Sequence, residues 1–425
     1  MTGSRDGVVV HLDAAELGPD RAVGGLVRER RGSQSVISFA YEAAWVTASD
    51  AFPLDPSLAL FEGEQYLSGL PGILADAAPD RWGRTLLERR EALLARDGGR
   101  QPRMLDEWDF LVGVSDGTRM GALRIAPEGG GAFLDDGELT IPPIARLREL
   151  EHWAAEVERG LPDASAEEAR WIAMLVAPGS SLGGARPKAS YLDEDGALWI
   201  AKFPSREDRH DAGAWEYVVS RLATRAGIAT PESRLLRLGS PYGTYCARRF
   251  DRVGADRRLY TSAMTLAGRR DGDPDASYLD VARAIESFGD PAAIEDDLRQ
   301  LFRRVVFNVL VSNHDDHLRN HGFLRTAAGW RLAPAFDVNS SPHTREHSLA
   351  LDGVLHAPNL GAVCETAGLY RLGGEEAERI VAEVRAVTDG WREEAASVGL
   401  PREEVERMAI AFELDVHGPG AAETG

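Results

Sequence analysis

The sequence predicts an α+β protein, β-rich at its N-terminus and mostly helical towards its C-terminus. Three observations carry this. Short β-branched and aromatic runs cluster before residue 140, and hairpin and helix patterns alternate from about 165 to 250. Beyond about 275 the apolar residues recur at helical spacing. A chain of 425 residues is long for one domain, and these patterns divide it into 1–140, 141–252 and 253–425.

The elements follow in order. Val8 to Leu12, Val23 to Arg28 and Val36 to Tyr41 read as strands, with a turn at Pro53-Leu54-Asp55-Pro56. Helices are expected from about Pro79 to Arg96 and from Asp106 to Val114. The Gly/Asp-rich stretch Pro127 to Gly137 reads as an exposed connection before an amphipathic helix from about Ile144 to Glu158. Ser165 to Ala177 is expected to be helical, opened by a Ser165/Glu168 capping box. Pro187 to Leu192 and Leu198 to Phe203 form a hairpin around Asp193-Glu194-Asp195-Gly196, and Gly227 stops a helix over Asp211 to Ala226. Strands are expected at Ser233 to Leu238 and Thr244 to Phe250. Between Ile294 and Leu310, residues Ile294, Leu298, Leu301, Phe302, Val305, Val306, Val309 and Leu310 mark a buried helix. A hairpin (Gly322 to Arg325, Trp330 to Leu332) and helices at Glu375 to Val387 and Arg402 to Phe412 complete the chain.

Composition narrows the function classes. With 44% hydrophobic and 27% charged residues the chain is an ordinary globular one. The run Val305 to Val311 is far too short to span a bilayer, so no membrane association is expected. Met1-Thr2-Gly3-Ser4-Arg5-Asp6 leads straight into Val8-Val9-Val10 without a secretion signal, and two cysteines, Cys246 and Cys364, are too few for a disulfide framework. Both point to the cytoplasm. A net charge of −20, with arginines interleaved among acids, argues against autonomous DNA binding.

The chemistry concentrates in Asn313-His314-Asp315-Asp316-His317-Leu318-Arg319-Asn320 and Ala335-Phe336-Asp337-Val338. Asp315 and Asn320 stand five positions apart, the spacing of a protein-kinase catalytic loop, and Asp337 follows 17 residues later beyond the hairpin. In phosphoryl transfer one carboxylate orients the attacking hydroxyl, while an amide and a second carboxylate hold magnesium. Upstream, Gly179-Ser180-Ser181-Leu182-Gly183-Gly184-Ala185-Arg186-Pro187-Lys188 lets backbone N–H groups approach phosphates and adds two cations. It is not a Walker A loop, because Ala185 stands where the lysine belongs. Alone it reads first as a tight turn. Its place one hairpin before Lys202 strengthens the phosphate reading. Lys202 lies in the apolar strand Trp199-Ile200-Ala201-Lys202-Phe203, where a buried ammonium needs a counter-charge such as ATP phosphates; an edge-strand lysine with its head in water is the plainer alternative. Glu216, Asp211 and Glu207 are the acidic residues available to pair with it. His314 and His317 with Asp315 and Asp316 also suggest a metal phosphohydrolase, but upstream only His11, His152 and His210 could complete such a site.

Together these segments resemble the HipA-family serine/threonine kinases, the toxin half of bacterial toxin–antitoxin pairs. The resemblance runs through Leu74-Ala75-Asp76-Ala77-Ala78-Pro79-Asp80-Arg81-Trp82-Gly83, Ser181 to Lys188, Ala201-Lys202-Phe203-Pro204, Arg249-Phe250-Asp251-Arg252, His314 to Asn320 and Ala333 to Val338. It implies a bilobal protein-kinase-like fold and an ATP- and Mg²⁺-dependent kinase. Asp315 would be the catalytic residue, with Asn320 and Asp337 holding the metal. ATP would meet Gly183, Gly184, Ala185, Arg186, Lys188, Lys202, Arg248, Arg249, Phe250, His317, Asn320 and Asp337, with Arg248 to Phe250 as the hinge beside adenine. Ser181, or Ser180 beside it, would be autophosphorylated. The implied partners are a helix-turn-helix, HipB-like antitoxin, DNA reached through it, and a protein substrate such as an aminoacyl-tRNA synthetase. Arg248, Arg186-Pro187 and Arg319 depart from the family's usual residues and leave the target open. A catalytically silent, kinase-fold regulatory module is the alternative reading.

Overall fold

The structure, a computed structural model, describes residues 4–31, 34–134, 141–160, 175 and 184–413. Apart from Leu175, the helix expected over 165–177 lies outside them, as do Ser180, Ser181 and Gly183. The chain forms two compact units, Met1–Arg206 with Arg248–Thr261, and Glu207–Ala247 with Ser262–Gly425.

The first unit is built on a five-stranded antiparallel sheet of β1 (Ser4–Leu12), β2 (Arg21–Arg31), β3 (Gln34–Tyr41), β4 (Glu64–Leu67) and β5 (Leu123–Pro127), in the order β4-β3-β2-β1-β5. Alternate residues Val8, Val10 and Leu12 of β1 are buried, with Val23, Leu26, Phe39 and Ile125 beside them, so one face of the sheet supplies the core. Gly24 is required for close packing. A Cβ there would stand 2.4 Å from the Phe39 ring and 2.5 Å from the Ala40 carbonyl oxygen. Strands β4 and β5 were not expected from the sequence. Each lies at an edge and pairs with one neighbour only, and polar Glu64-Gln65 and terminal Pro127 obscure any alternation.

Helix α1 (Arg81–Asp97) starts at Asp80, whose carboxylate accepts the Gly83 N–H at 2.8 Å. Helix α2 (Glu107–Val112) opens with a reciprocal Asp106/Asp109 capping box, and α3 (Leu147–Arg159) buries Leu147, Leu150, Ala154 and Val157. Strands β6 (Lys188–Leu192) and β7 (Leu198–Lys202) form the expected hairpin, which pairs Lys188 with Lys202 across the ladder.

A buried charge network ties residues 248–261 into this unit. Asp251 accepts hydrogen bonds from Arg249 at 2.6 and 2.7 Å, from Arg252 at 2.6 Å and from the Gly121 N–H at 2.8 Å. Arg249 also donates to the Thr118 carbonyl at 3.2 Å and Arg252 to that of Arg119 at 2.7 Å. Nearby, Asp116 receives Arg124 and Arg257. Burial alone would push the Asp251 carboxyl up, but its two arginines and the Gly121 amide hold it far below the usual carboxylate range.

In the second unit, α4 (Ala212–Arg225) is capped by Asp211, which accepts from Ala214 and Gly243. Strands β8 (Ser233–Leu236) and β9 (Thr244–Arg248) pair as an antiparallel hairpin. Helices α5 (Tyr278–Phe288) and α6 (Ile294–Leu310) follow, then β10 (Gly322–Arg325) and β11 (Trp330–Leu332), then α7 (Gly374–Thr388), α8 (Trp391–Val398) and α9 (Arg402–Phe412). The core surrounds α6, where Leu298, Leu301, Phe302, Val305, Val306, Phe307 and Val309 are all but inaccessible. A second cluster joins Trp215 to Trp391 and Phe412, the last two stacked at 4.5 Å. Among the described residues no helix is long and apolar enough to cross a membrane.

Replacing Asp251 with Asn leaves Arg249 and Arg252 buried against a neutral partner. Denaturation followed by tryptophan fluorescence should show a loss of about 3–5 kcal/mol, the usual cost of breaking a buried ion pair. The exposed Arg5–Glu128 pair supplies the control: Glu128→Gln should leave the transition unmoved.

Candidate active site

The loop that carries Asp315 begins where α6 ends. Ser312 adopts a left-handed conformation (φ 52°), uncommon for a non-glycine residue, and its hydroxyl donates to the Ala411 carbonyl at 2.5 Å. The turn reverses the chain so that Asn313 folds back on the helix. Its backbone N–H reaches the Asn308 carbonyl at 2.9 Å, and its side chain donates to the Asn308 amide oxygen at 3.0 Å.

The two adjacent aspartates then part company. Asp316 turns inward and is buried, while Asp315 is exposed. One Asp316 oxygen accepts from Tyr278 Oη at 2.9 Å, Asn308 Nδ2 at 2.7 Å and His321 Nε2 at 2.8 Å. Burial pushes this carboxyl upward, but His321 and the donated hydrogen bonds outweigh it and hold the group below the ordinary aspartate value. Asp315 shows the opposite balance. Partial desolvation raises it, His317 pulls it down, and Asp337 and Asp316 push it up, leaving it above the usual value.

That mutual repulsion places Asp337 within electrostatic reach of Asp315. Asp337 also has a left-handed backbone (φ 58°), and the Asn339 amide donates to its carboxylate at 3.3 Å. Asn320 closes a short 3₁₀ turn, Leu318–Asn320, its N–H bonded to the His317 carbonyl at 2.8 Å. Asn320, Phe336 and Val338 line one small cavity, so the amide sits beside the two residues that flank Asp337. The Asn320 Oδ1 is buried and has no hydrogen-bond partner among the described residues. An orphan amide oxygen next to two mutually repelling carboxylates is a donor set that suits a hard divalent cation.

A layer that spacing could not reveal holds the loop from behind. His347 Nδ1 donates to the Asn313 carbonyl at 3.2 Å, and Ser348 donates to the His314 carbonyl through its N–H at 2.8 Å and its hydroxyl at 3.0 Å. The His347 ring meets His314 edge-on at 4.7 Å. Among the described residues no group of three His, Cys, Asp or Glu side chains could hold a metal ion between them.

The candidate phosphate-binding residues of the first unit gather on the β6–β7 hairpin. Lys202 is buried at the end of β7. Lys188 is also buried, and its ammonium bonds to Asp80 at 2.7 Å and to the Gly184 carbonyl at 3.1 Å, while Trp82 Nε1 donates to the Lys188 carbonyl at 3.0 Å. Gly184 has φ 82°, Ala185 is exposed, and Arg186 donates to the Phe203 carbonyl at 3.2 Å. Of the hinge segment, Arg248 is exposed, Arg249 is spent on Asp251, and the Phe250 ring lies 6.0 Å from that of Tyr260. Glu216 is buried on α4.

Two family models match the chain: HipA N-terminal domain over residues 17–126 and HipA-like C-terminal domain over residues 180–391. Between them they account for most of its length. The chain belongs to the HipA family. Its fold is that of HipA from Shewanella oneidensis MR-1, solved with HipB and operator DNA, at a TM-score of 0.65, 17% identity and 95% coverage of both chains. A Haemophilus influenzae protein named "Putative kinase" is 25% identical over 188 residues, 39% of this chain. That match spans about half the length of the relative, 54%.

Burial lowers the His347 imidazole to about 4. The unfolded chain binds a proton there below about pH 6.5 that the folded chain refuses. Stability from this group is therefore intact above that pH and lost as pH falls towards 4, by about 3 kcal/mol at 1.36 per unit. Urea titrations at pH 7 and pH 5 should show the loss, and His347→Asn, which keeps a donor for Asn313, should flatten it.

Proposed function

We propose that this protein is an ATP- and Mg²⁺-dependent protein serine/threonine kinase and the toxin of a toxin–antitoxin pair. The observation that carries the reading is the grouping of exposed Asp315, the Asn320 amide and Asp337 at the end of a buried helix.

Asp315 Oδ would accept a hydrogen bond from the substrate hydroxyl and take its proton as the oxygen attacks the γ-phosphorus in line, with ADP leaving. Its raised proton affinity suits that role. Asn320 and Asp337 would hold magnesium, which when bound neutralises charge on the transferring phosphoryl group. Lys202, buried at the end of β7, is assigned to the α/β-phosphates, with Lys188, which bonds Asp80, opposite it on the hairpin. Hinge contacts to adenine would come from the backbone of residues 248–250, since the Arg249 side chain is enclosed. Gly184, Ala185 and Arg186 would border the phosphates, and His317 would flank the γ-phosphate.

Likeness to the Shewanella complex supports a HipB-like, helix-turn-helix antitoxin as partner, with DNA met through it. The family resemblance supports autophosphorylation at Ser181, with Ser180 as the alternative, and a translation component such as an aminoacyl-tRNA synthetase as substrate. A phosphate in that loop would add about two negative charges and reorganise it around nearby arginines.

Incubation with γ-labelled ATP and a bacterial extract tests the reading. Wild type should label a discrete protein target and its own 180–181 serines. Asp315→Asn should lose transfer by at least about 100-fold, the usual scale for removing a general base, while still binding nucleotide. Equal labelling by both proteins would end it.

A further inference from the structure

Arg304 is a charged residue on the most apolar face of α6, between Leu301-Phe302 and Val305-Val306-Phe307, and only 3% of it is exposed. A guanidinium there needs its five N–H groups satisfied. Nη2 donates to the Ala333 carbonyl at 2.5 Å, while Nε and Nη1 have no partner among the described residues. Ala333 begins the segment that ends in Asp337. Burial lowers the Arg304 guanidinium to about 10, countered by Asp316 and Asp297, so it stays charged at neutral pH.

Arg304 lines the cavity shared by Asn308, Asn313, Asp316, Asn320 and His321. About 10 Å³ of it is open to the centre of a water molecule, room for roughly one. Three residues that line it carry polar atoms without a partner among the described residues: Arg304 through Nε and Nη1, Asn320 through Oδ1 and His321 through Nδ1. All three residues are at least nine-tenths buried. One water offers two donors and two acceptors, and the wall presents both kinds.

We propose that this cavity is a built site for one ordered water, and that Arg304 is a positioning residue for the magnesium-binding pair. It grips the Asp337 segment directly at Ala333 and the Asn320 loop through that water. A single buried cation then sets the separation of the two ligand segments before any metal arrives. The inference rests on the kinase reading above and extends it to a residue outside the recognised motifs.

Arg304→Lys keeps the charge but has one ammonium, too compact to serve both the carbonyl and the water. Mn²⁺ binding in the presence of a non-hydrolysable ATP analogue, followed by electron paramagnetic resonance, is the direct readout. The variant should bind Mn²⁺ about 10-fold more weakly, the scale for residues that orient metal ligands, with analogue affinity in the absence of metal within about twofold. Unchanged Mn²⁺ affinity, or equal loss of metal and analogue binding, overturns the role. A wild type that binds analogue but no Mn²⁺ removes the metal-site reading itself, and with it this inference. Should the variant fail to fold, a crystal structure of the wild-type protein at high resolution decides. Density for a water within hydrogen-bond distance of Arg304 supports the proposal, and a dry cavity refutes it.

Discussion

A carboxylate buried with three donors on a single oxygen governs the shape of the candidate active site. Asp316 draws Tyr278 from α5, Asn308 from α6 and His321 from beyond the loop to one point. Each donor comes from a different element, so the carboxylate closes the loop at both ends. With Asp316 anchored inward, its neighbour Asp315 is left facing solvent. Adjacent at a turn of the chain, the two residues differ in burial, Asp316 tied to the interior and Asp315 exposed.

Much of this was legible in the sequence. The spacing of Asp315, Asn320 and Asp337 singled out the loop, and the apolar periodicity of 294–310 placed it at the end of a buried helix. The hairpin with Lys188 and Lys202 was also readable, from alternating residues and an Asp-Gly turn. What was hidden depended on contacts distant in sequence. Nothing in Asp315-Asp316 says which carboxylate turns inward, because that follows from the left-handed turn at Ser312 and from Tyr278, 38 residues upstream. His347 and Ser348 reach back 34 residues to support the loop through backbone carbonyls, which leave no trace in composition. Arg304 was hidden as well, because it stands beside Arg303 and only the fold shows which of the two arginines is buried.

Two buried lysines share the hairpin. Lys188 and Lys202 face each other across the ladder, and both are buried. Asp80 serves Lys188 while its other oxygen caps α1, so one carboxylate joins the hairpin to the helix and neutralises one ammonium. Two adjacent buried cations would repel strongly if neither were compensated. The pairing with Asp80 lowers that repulsion.

The first unit is not continuous in the chain: it takes residues 1–206, leaves, and returns for 248–261. The returning stretch brings Arg249, Asp251 and Arg252, which cross-brace Thr118, Arg119 and Gly121 near its centre. During synthesis, therefore, the N-terminal half cannot complete its interior when residue 206 leaves the ribosome. It must wait until Thr261 has emerged, by which time the 41 residues of the intervening excursion are already outside. A fragment ending at 206 is consequently no independent module, and maturation of this half is coupled in time to the start of the other.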